Sequence, residues 1–426
     1  MIPTVLTLGL VVTAATQLRF GEFPVGPGEL LLLLWLGLAL LRQILCRPML
    51  LNPALTRVAL FWFIMGVTLC IGMIVGLAVE PFHYYSGMFR DTVAYALMFC
   101  FSIMMAISLA DPTERRQVCW RMAVIGSLSL LLQIADALGG LPVPGIDPWY
   151  WDRFRGWAEN PNQLGFFALV ITLLCLDLSE RARTMSGTVL ALGCGVPALA
   201  AGLMSHSDSF VIGLMLSGTV FVLLKSVVWI RNTEMAPTLR GAAVVLGLMA
   251  LPLAVAVAAP FASEAFRSIA RGSQQVYNDN GQGETRLNLW TEAIEKGVES
   301  GLVGFGPGPH LTSKSYKRPP PSKFEAHNTL LDVFTQGGIV AVTAFVWIST
   351  AALVGVARTG RPALAGLVAG LLVFSLFHYV LRQPIFWFGI VLCLLEASAP
   401  FRKTPSPRAV GKPVPLVLRQ RVGGAV

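Results

Sequence analysis

The sequence predicts an all-α integral membrane protein with about twelve transmembrane helices. Of the 426 residues, 55% are hydrophobic and only 13% are charged, and the mean hydropathy is +0.67. Soluble domains carry roughly 25% charged residues, so a soluble chain of this composition would expose large apolar patches to water. Apolar runs near the ~20 residues that a helix needs to cross a bilayer recur along the chain. Examples are VALFWFIMGVTLCIGMIVGLAV at 58–79, DSFVIGLMLSGTVFVLLKSVVWI at 208–230 and GAAVVLGLMALPLAVAVAAPF at 241–261.

The apolar runs divide the chain into twelve predicted spans, of which the first, second and twelfth are the shortest, so ten or eleven spans is the alternative. The predicted centres are residues 10, 37, 68, 101, 131, 170, 195, 219, 251, 345, 370 and 391. The first span lacks a basic segment before it and is followed by many others, so it is expected to be retained rather than cleaved as a signal. The predicted parts are nine spans in 1–262, a long loop in 263–326, three spans in 327–400 and a basic, Pro-rich tail in 401–426 that is expected to be disordered.

The distribution of basic residues predicts the orientation. With twelve spans, the loops on one side together with the tail hold 19 of the 32 Lys and Arg residues, and the short loops on the other side hold five. The remaining eight lie in the long loop, which the positive-inside rule does not count. Both termini are therefore expected in the cytoplasm. The net charge of +9 reflects this topology, and no basic patch interleaved with aromatic residues indicates nucleic-acid binding.

Polar and titratable residues gather on the side opposite the termini. All five histidines are expected there or at its membrane edge: His83, His206, His310, His327 and His378. The centres of the spans are nearly free of charged residues, whereas transporters and pumps usually place such groups deep in the membrane. The pattern therefore favours a functional site at the outer surface. The alternative is that these amphipathic side chains simply prefer the membrane interface.

The long loop ends in two motifs that carry the candidate chemistry. TRLNLWTEAIEKGVESGL at 285–302 places Leu287, Trp290, Ile294 and Val298 on one stripe of an amphipathic helix. Thr285 is a candidate N-cap, which would put Arg286 in the first turn. The run GFGPGPH at 304–310 is expected to end that helix as a turn. FEAHNTLLDVF at 324–334 then begins the next span, where the alternative role of His327 and Asn328 is to cap the helix.

Four segments together resemble the bacterial O-antigen ligases and the O-antigen and exopolysaccharide polymerases. They are RFRGWAENPNQLG at 153–165, SHSDS at 205–209, TRLNLWTEAIEKGVESGLVGFGPG at 285–308 and EAHNTLLDVFTQGGIVA at 325–341. The resemblance implies a GT-C-like fold in the bacterial inner membrane with one long periplasmic loop between the ninth and tenth helices. It also implies a glycosyltransferase that uses no metal ion or nucleotide cofactor. The implied donor is a glycan on undecaprenyl diphosphate, and the implied acceptor is a glycan or glycolipid hydroxyl. Other polysaccharide-assembly proteins are possible partners.

Residue by residue, the resemblance implies that His327 and Arg286 are catalytic. Arg153 and the Asn160-Pro161-Asn162 sequence match the family's substrate-binding segment. Many ligases carry an arginine where this chain has Asp208, so another cation is expected to contact the diphosphate. The candidates are Arg155, Arg90 and Arg382. We hypothesise that His327 is the base, oriented by Asn328 or Glu325, and that His378 is a second candidate for the site.

The same chemistry serves two acceptors, and the sequence leaves both open. Asp208 departs from the ligase pattern, and LRQPIFWF at 381–388 resembles exopolysaccharide members, which together favour a polymerase over a ligase that transfers to lipid A–core or to protein. A flippase for lipid-linked glycans is a further alternative. It would require a continuous polar cavity through the membrane, and the apolar span centres disfavour it.

Overall fold

The computed structural model describes residues 2–20, 25–46, 52–81, 83–232, 286–312 and 323–398. These residues form twelve α-helices and one two-stranded hairpin. The helices are α1 (Ile2–Val12), α2 (Pro27–Cys46), α3 (Pro53–Val79), α4 (Tyr85–Ser108), α5 (Pro112–Ala137), α6 (Pro161–Arg181), α7 (Met185–Met204), α8 (Asp208–Asn232), α9 (Arg286–Glu299), α10 (Thr329–Arg358), α11 (Pro362–Phe377) and α12 (Pro384–Ala397). Strands β1 (Trp149–Tyr150) and β2 (Arg153–Phe154) pair antiparallel between α5 and α6.

The predicted helical membrane fold is confirmed for this part of the chain. Eight helices, α2 to α8 and α10, are long and apolar enough to cross a bilayer, and α1, α11 and α12 are shorter apolar helices. Eleven predicted span centres lie in these helices, and the centre at residue 251 lies outside the described residues. The prediction that the second span is short is wrong, because α2 has 20 residues, whereas the eleventh span, α11, has only 16.

Several helices begin at the same local signal, an Asn or Asp followed by proline. Asn52, Asp111 and Asn160 each precede a proline in the first turn, and each side chain accepts a hydrogen bond from a backbone N–H of its helix. Proline has no N–H to leave unpaired there, and its fixed φ suits the first helical position. The side-chain cap satisfies one of the four free donors that every helix start carries. These starts of α3, α5 and α6 are therefore determined locally.

Two short helices, α11 and α12, lie at the centre of the bundle. They have 16 and 14 residues, and nearly all of their side chains are buried. At 1.5 Å per residue they span about 24 and 21 Å, less than the ~30 Å of a hydrocarbon core. Helix α11 packs mainly against α6, α8 and α10, and α12 packs mainly against α3, α4 and α10, so both are surrounded largely by protein. Helices α2, α7 and α8 are less buried and form the periphery.

Helix α10 is broken at Gly338, and the segment that follows α9 fills the break. Gly338 has φ 68° and ψ −166°, so the helical ladder is interrupted there. The N–H groups of Phe305 and Gly306 donate to the carbonyls of Thr335 and Gln336, both at 2.8 Å. A third bond runs the other way, from the N–H of residue 339 to the carbonyl of residue 302 at 2.9 Å. Backbone groups freed by the break are thus paired inside the protein, as a membrane interior requires.

The loop helix α9 forms as predicted, but three of the four residues of its predicted stripe face outward. Leu287, Ile294 and Val298 are 60%, 51% and 58% exposed, whereas Trp290 is partly buried beside the buried Leu289 and Ala293. The buried face of α9 packs on the residues around the start of α10. Gly297 has no Cβ, and this leaves room for the ring of Phe334. Periodicity shows which residues share a face of the helix. It does not show which face packs against the protein when both faces carry apolar residues, as they do in α9. The candidate N-cap Thr285 lies outside the described residues.

The helix ends opposite the predicted site are joined by a buried ionic network. Arg361 donates to both oxygens of Asp177 at 2.7 and 2.8 Å and also pairs with Glu396. Arg115 donates to Glu396 at 2.7 Å, and Arg181 approaches both carboxylates at 3.5 and 3.7 Å. Buried charges require such partners. We call this end of the bundle the opposite face and the other end the site face.

Replacing Gly338 with alanine is expected to destabilise the protein by several kcal/mol. The left-handed conformation alone costs an L-residue about 1–2 kcal/mol, and a Cβ would lie 2.1 Å from the carbonyl oxygen of Leu302. The matched control is Gly66→Ala in α3, where a Cβ would meet no atom within 4 Å. The control is expected to be neutral or slightly stabilising. Thermal unfolding in detergent measures both, and equal midpoints would contradict the described break.

Candidate functional site

The carboxylate of Glu325 lies between two guanidinium groups from distant parts of the chain. Arg382, in the loop between α11 and α12, donates from Nη2 to both carboxylate oxygens at 2.7 and 2.8 Å. Arg90, in α4, donates from Nη2 to Oε1 at 2.6 Å. Glu325 itself precedes α10. This pairing joins three segments that are separate in sequence at one place on the site face.

Asp91 extends the network into the bundle. Its side chain is fully buried, and its Oδ1 accepts hydrogen bonds from Arg90, at 2.8 Å, and from Arg382. Within the described residues, Asp91 Oδ2 and the hydroxyl of Tyr379 are buried without a hydrogen-bond partner. The Arg382 guanidinium lies 4.7 Å above the Tyr379 ring, and burial together with the negative charge of Asp91 raises the pKa of Tyr379 well above its ordinary value. Two polar atoms beside the arginines are thus available to a ligand or to water.

Glu325 is held in its charged form. Burial alone would raise the pKa of Glu325, but the charges of Arg382, Arg90 and His327 outweigh burial and lower that pKa below its ordinary value. A carboxylate with a lowered pKa is a weak proton acceptor. Glu325 is therefore suited to placing charges around His327 and not to removing a proton itself.

His327 is exposed, and both neighbouring peptide groups are fixed. Asp332 accepts hydrogen bonds from the backbone N–H of Ala326 at 2.7 Å and of Asn328 at 3.2 Å. His327, between them, has a left-handed backbone with φ 53°. Non-glycine residues adopt this conformation rarely, and such strain is often found at functional sites. The imidazole is thus presented outward from a backbone held on both sides.

Asn328 serves as the N-cap of α10. Its Oδ1 accepts hydrogen bonds from the backbone N–H groups of the second and third residues of the helix, at 3.0 and 3.3 Å. The capping alternative therefore holds for the Asn328 side-chain oxygen. Of the two residues expected to orient His327, Glu325 is the one whose charge acts on that side chain.

Arg153 is held by neutral partners in a second part of the site face. Its Nε donates to the carbonyl of Ser205 at 3.2 Å, and its Nη2 donates to Oδ1 of Asn162 at 3.0 Å. The same Asn162 oxygen accepts from the hydroxyl of Ser207 at 2.7 Å, and Asn160 caps α6 by accepting the N–H of Asn162 at 2.8 Å. The RFRGWAENPN and SHSDS segments are thus brought into contact. The guanidinium is oriented but keeps its charge uncompensated by these partners.

Arg153 differs in this respect from the other site-face arginines. Each of those arginines pairs with a carboxylate: Arg19 with Glu29, Arg90 and Arg382 with Glu325, and Arg155 with Asp147. Among the described residues, no carboxylate forms an ion pair with Arg153. A pre-oriented guanidinium without a counter-charge is the arrangement that best receives a phosphate group.

His378 links the two parts of the site face. Its Nε2 lies 3.2 Å from the hydroxyl of Ser209, at the start of α8, and its carbonyl accepts a hydrogen bond from Thr329 at 2.6 Å. Thr329 is the first residue of α10 and follows the His327-Asn328 pair. His378 therefore contacts both the SHSDS segment, whose Ser205 holds Arg153, and the start of α10, two residues after His327.

Helix α9 begins near the same segment. Trp290, one helical turn after Arg286, donates from its indole N–H to the carbonyl of Ala326 at 3.1 Å, next to His327. The start of α9 and His327 thus lie on the same face. The side chain of Arg286 is outside the described part of the structure, so its predicted role stays a prediction.

The GFGPGPH run has a structural position. Its first N–H groups are used in the α10 break, and the buried ring of His310 lies 3.2 Å from Glu80 at the end of α3 and 2.8 Å from the carbonyl of Gly306. Lys323 pairs with the same carboxylate at 2.6 Å. Burial would raise the pKa of Glu80, but His310 and Lys323 together lower it. This cluster anchors the segment that follows α9 to the end of α3.

Three contributors to the site face were not singled out from the sequence. Asp91 directly follows Arg90, and a carboxylate beside an arginine at a membrane edge was an available signal. Asp332 follows the cap Asn328 by four residues, close to the spacing of a reciprocal capping pair. Tyr379 had no local signal. In the described residues, no group of three His, Cys, Asp or Glu residues suits a metal ion.

The fold and the site face together define a multi-pass membrane protein with an interfacial cluster of arginines, carboxylates and an exposed histidine. Residues 193–346 match the family model described as O-antigen ligase, and this match confirms the predicted resemblance over that part of the chain. The matched range includes the turn at Ser207, helix α9 and the His327 segment. It supports a membrane enzyme that transfers glycans. No curated protein matches the chain.

The stability contributed by the Glu325 carboxylate is expected to persist at acidic pH. Because its folded pKa is lowered, the contribution is fully present above the unfolded pKa of about 4.3 and is lost as pH falls through the lower folded pKa. Glu325→Gln should therefore lower the free energy of unfolding at pH 7 by about 1–3 kcal/mol, a loss between those typical of exposed and of buried ion pairs. The unfolding midpoint should fall accordingly.

Unfolding midpoints of both proteins between pH 7 and pH 3 test this expectation. The difference in unfolding midpoint between the wild-type and Glu325→Gln proteins should stay constant down to about pH 5 and narrow below about pH 4. Glu299→Gln, in the exposed pair with Lys296, is the control and should change the midpoint little. A gap that widens with acidification would show that Glu325 has a raised pKa.

Proposed function

We propose that the protein transfers a glycan from a polyprenyl diphosphate carrier to a sugar hydroxyl of an acceptor at the site face. The single observation that carries the proposal is that His378 contacts both Ser209, in the segment whose Ser205 holds Arg153, and Thr329, two residues after His327. A lipid-linked diphosphate is an anion held at the membrane surface, where these side chains lie. The family match at 193–346 supports glycan transfer as the reaction class.

In the proposed reaction, the acceptor hydroxyl oxygen attacks the anomeric carbon of the donor sugar. The bond between that carbon and the diphosphate oxygen breaks, and its electron pair stays on the diphosphate. The proton of the hydroxyl passes to the imidazole of His327 as the new glycosidic bond forms. The products are the extended glycan and the free polyprenyl diphosphate, and the histidine then releases its proton to solvent. No metal or cofactor is required by this balance.

The arginines divide into two roles in this proposal. Arg153 is free of carboxylate partners and binds the diphosphate, where a fixed cation stabilises the negative charge that develops on the leaving group. Arg90 and Arg382 keep Glu325 charged and so position the His327 segment. Arg286, at the start of α9, is proposed to add a second cation at the diphosphate. Many ligases carry an arginine where this chain has Asp208. Arg155 is not proposed to replace that arginine, because Arg155 pairs with Asp147.

We favour a polymerase, in which both donor and acceptor are carrier-linked glycans. Arg382 lies in the LRQPIFWF segment, which resembles exopolysaccharide polymerases. Its ion pair with Glu325 places that segment in the site and supports the polymerase hypothesis. The second candidate is a ligase that transfers glycan to lipid A–core or to a protein, and the match of residues 193–346 to the O-antigen ligase family favours it. In a deletion strain, accumulated carrier-linked single repeat units would support the polymerase, and long polymer not transferred to an acceptor would support the ligase.

We further propose that the site face looks into the periplasm of a bacterial inner membrane and that both termini are cytoplasmic. The excess of Lys and Arg in the loops of the opposite face supports this orientation. A cysteine-accessibility assay tests it: Ser86→Cys at the start of α4 should react with an impermeant reagent in intact cells, and Ser186→Cys at the start of α7 should not.

Replacing His327 with asparagine is expected to reduce glycan transfer about 10²–10⁴-fold, because the general base is removed. Asparagine tolerates the left-handed backbone at this position, so the fold should be kept. The matched control is His206→Asn, since His206 is also exposed and left-handed, with φ 45°, but has no role in the proposed reaction.

Product formed from a carrier-linked glycan and protein abundance in membranes are measured together for both variants. The control should form product at the wild-type rate. Normal product from a normally abundant His327→Asn protein would end the catalytic proposal.

Replacing Arg153 with lysine is expected to reduce transfer about 10²-fold, because a single ammonium cannot contact Ser205, Asn162 and a phosphate in the geometry of the guanidinium. Arg155→Lys should have a much smaller effect, since its main contacts are to Asp147. Initial rates at saturating and limiting donor separate binding from catalysis. A greater loss in Arg155→Lys than in Arg153→Lys would reassign the phosphate contact to Arg155.

A further inference from the structure

A small pocket on the opposite face lies between α5 and α6, at the other end of the bundle from the residues of the proposed reaction. Its lining residues are Arg116, Trp120, Leu178, Arg181 and Ala182. The pocket lies near the first residues of α5 and the last residues of α6, the level at which spanning helices meet lipid headgroups.

The buried network behind this pocket carries more positive than negative charge. Three arginines, at positions 115, 181 and 361, share only the carboxylates of Asp177 and Glu396. The two carboxylates make their short contacts with the other two arginines, at distances down to 2.7 Å, and Arg181 is left with contacts of 3.5 and 3.7 Å. Its side chain is 35% exposed, toward the pocket. One positive charge therefore remains largely uncompensated at the pocket wall.

Arg116 adds a second cation at the pocket mouth. Its side chain is exposed and makes no ion pair or hydrogen bond with any described residue. The neighbouring carboxylates are engaged elsewhere, since Glu114 pairs with Arg42 and Glu180 pairs with Lys225. Arg181, with only long ion pairs, and Arg116, with none among the described residues, together match the charge and the bidentate oxygen geometry of a phosphate group.

An exposed apolar track continues from the pocket along α5. Trp120, Val124 and Leu128 follow Arg116 at four-residue intervals, so the four side chains lie along one side of the helix. Val124 and Leu128 are 41% and 53% exposed, and Trp120 is half-buried at the level that tryptophan prefers in membranes. Cations at the helix end with an apolar track below them fit a molecule that has a charged head and a hydrocarbon tail.

We propose that the pocket between α5 and α6 binds the phosphate of an anionic membrane lipid, with Arg116 and Arg181 on the phosphate and an acyl chain along Val124 and Leu128. Basic pockets between spanning helices bind anionic headgroups in this way. The bound lipid neutralises the excess charge at the end of the buried network and joins α5 to α6. The site is independent of the proposed glycan transfer.

Binding is measured on the full-length purified protein by titration with phosphatidylglycerol and with phosphatidylcholine in mixed micelles, followed by native mass spectrometry of retained lipid. Wild-type protein is expected to retain phosphatidylglycerol in preference to phosphatidylcholine. Arg116→Gln should weaken retention about fivefold, the effect of one cation near anionic lipid, and it should fold normally because the Arg116 side chain makes no hydrogen bond or ion pair with any described residue. Arg183→Gln, an exposed arginine outside the pocket, is the control and should leave retention unchanged.

Two further measurements distinguish a lipid phosphate from free inorganic phosphate as the ligand. Millimolar inorganic phosphate should not displace the lipid, and Val124→Asn should weaken lipid retention by removing part of the track. Displacement by inorganic phosphate with no effect of Val124→Asn would overturn the lipid assignment and leave a simple anion site. Equal retention by wild-type and Arg116→Gln protein, or equal retention of both lipids, would overturn the proposal entirely.

Discussion

The pairing of one carboxylate with two guanidinium groups is the constraint on which the site face depends. Glu325 is bound by Arg90 from α4 and by Arg382 from the loop before α12, and its position fixes the chain two residues before His327. Asp332 then holds the peptides on either side of that histidine. Without these bonds, the strained backbone of His327 would have no reason to persist, because each unusual backbone conformation must be maintained by its surroundings.

The break in α10 positions the segment that follows the loop helix α9. A membrane interior does not tolerate unpaired backbone groups, so the carbonyls freed at Thr335 and Gln336 must find donors. The segment after α9 supplies them, and the cluster of Glu80, His310 and Lys323 anchors the same segment at the end of α3. Helix α9 is therefore attached to the bundle through the segment that follows it. Its place beside the His327 segment follows from backbone pairing as much as from side-chain packing.

Arginines with few or no carboxylate partners remain on both faces, at the levels where anions of a membrane are found. On the site face, Arg153 is oriented by an amide and a carbonyl and forms no ion pair among the described residues, whereas the other described arginines there do. On the opposite face, Arg181 makes only long contacts with Asp177 and Glu396, whose short contacts go to Arg115 and Arg361, and Arg116 lies beside it. Buried charges are paired within the protein, and the proposed ligands of the remaining cations are phosphate groups. The two proposed sites thus follow one physical rule.

The sequence by itself determined the membrane fold, the positions of eleven apolar helices and the helical nature of residues 286–299, because hydropathy and helical periodicity are local properties. It also placed Arg153, Asn162, Glu325, Arg382 and His378 on one face, through the alternation of spans. Only the tertiary structure decided which of these side chains pair and that Leu287, Ile294 and Val298 face outward. Those outcomes depend on contacts between residues that are distant in sequence, such as the 235 positions between Arg90 and Glu325. No local pattern encodes a partner at that separation.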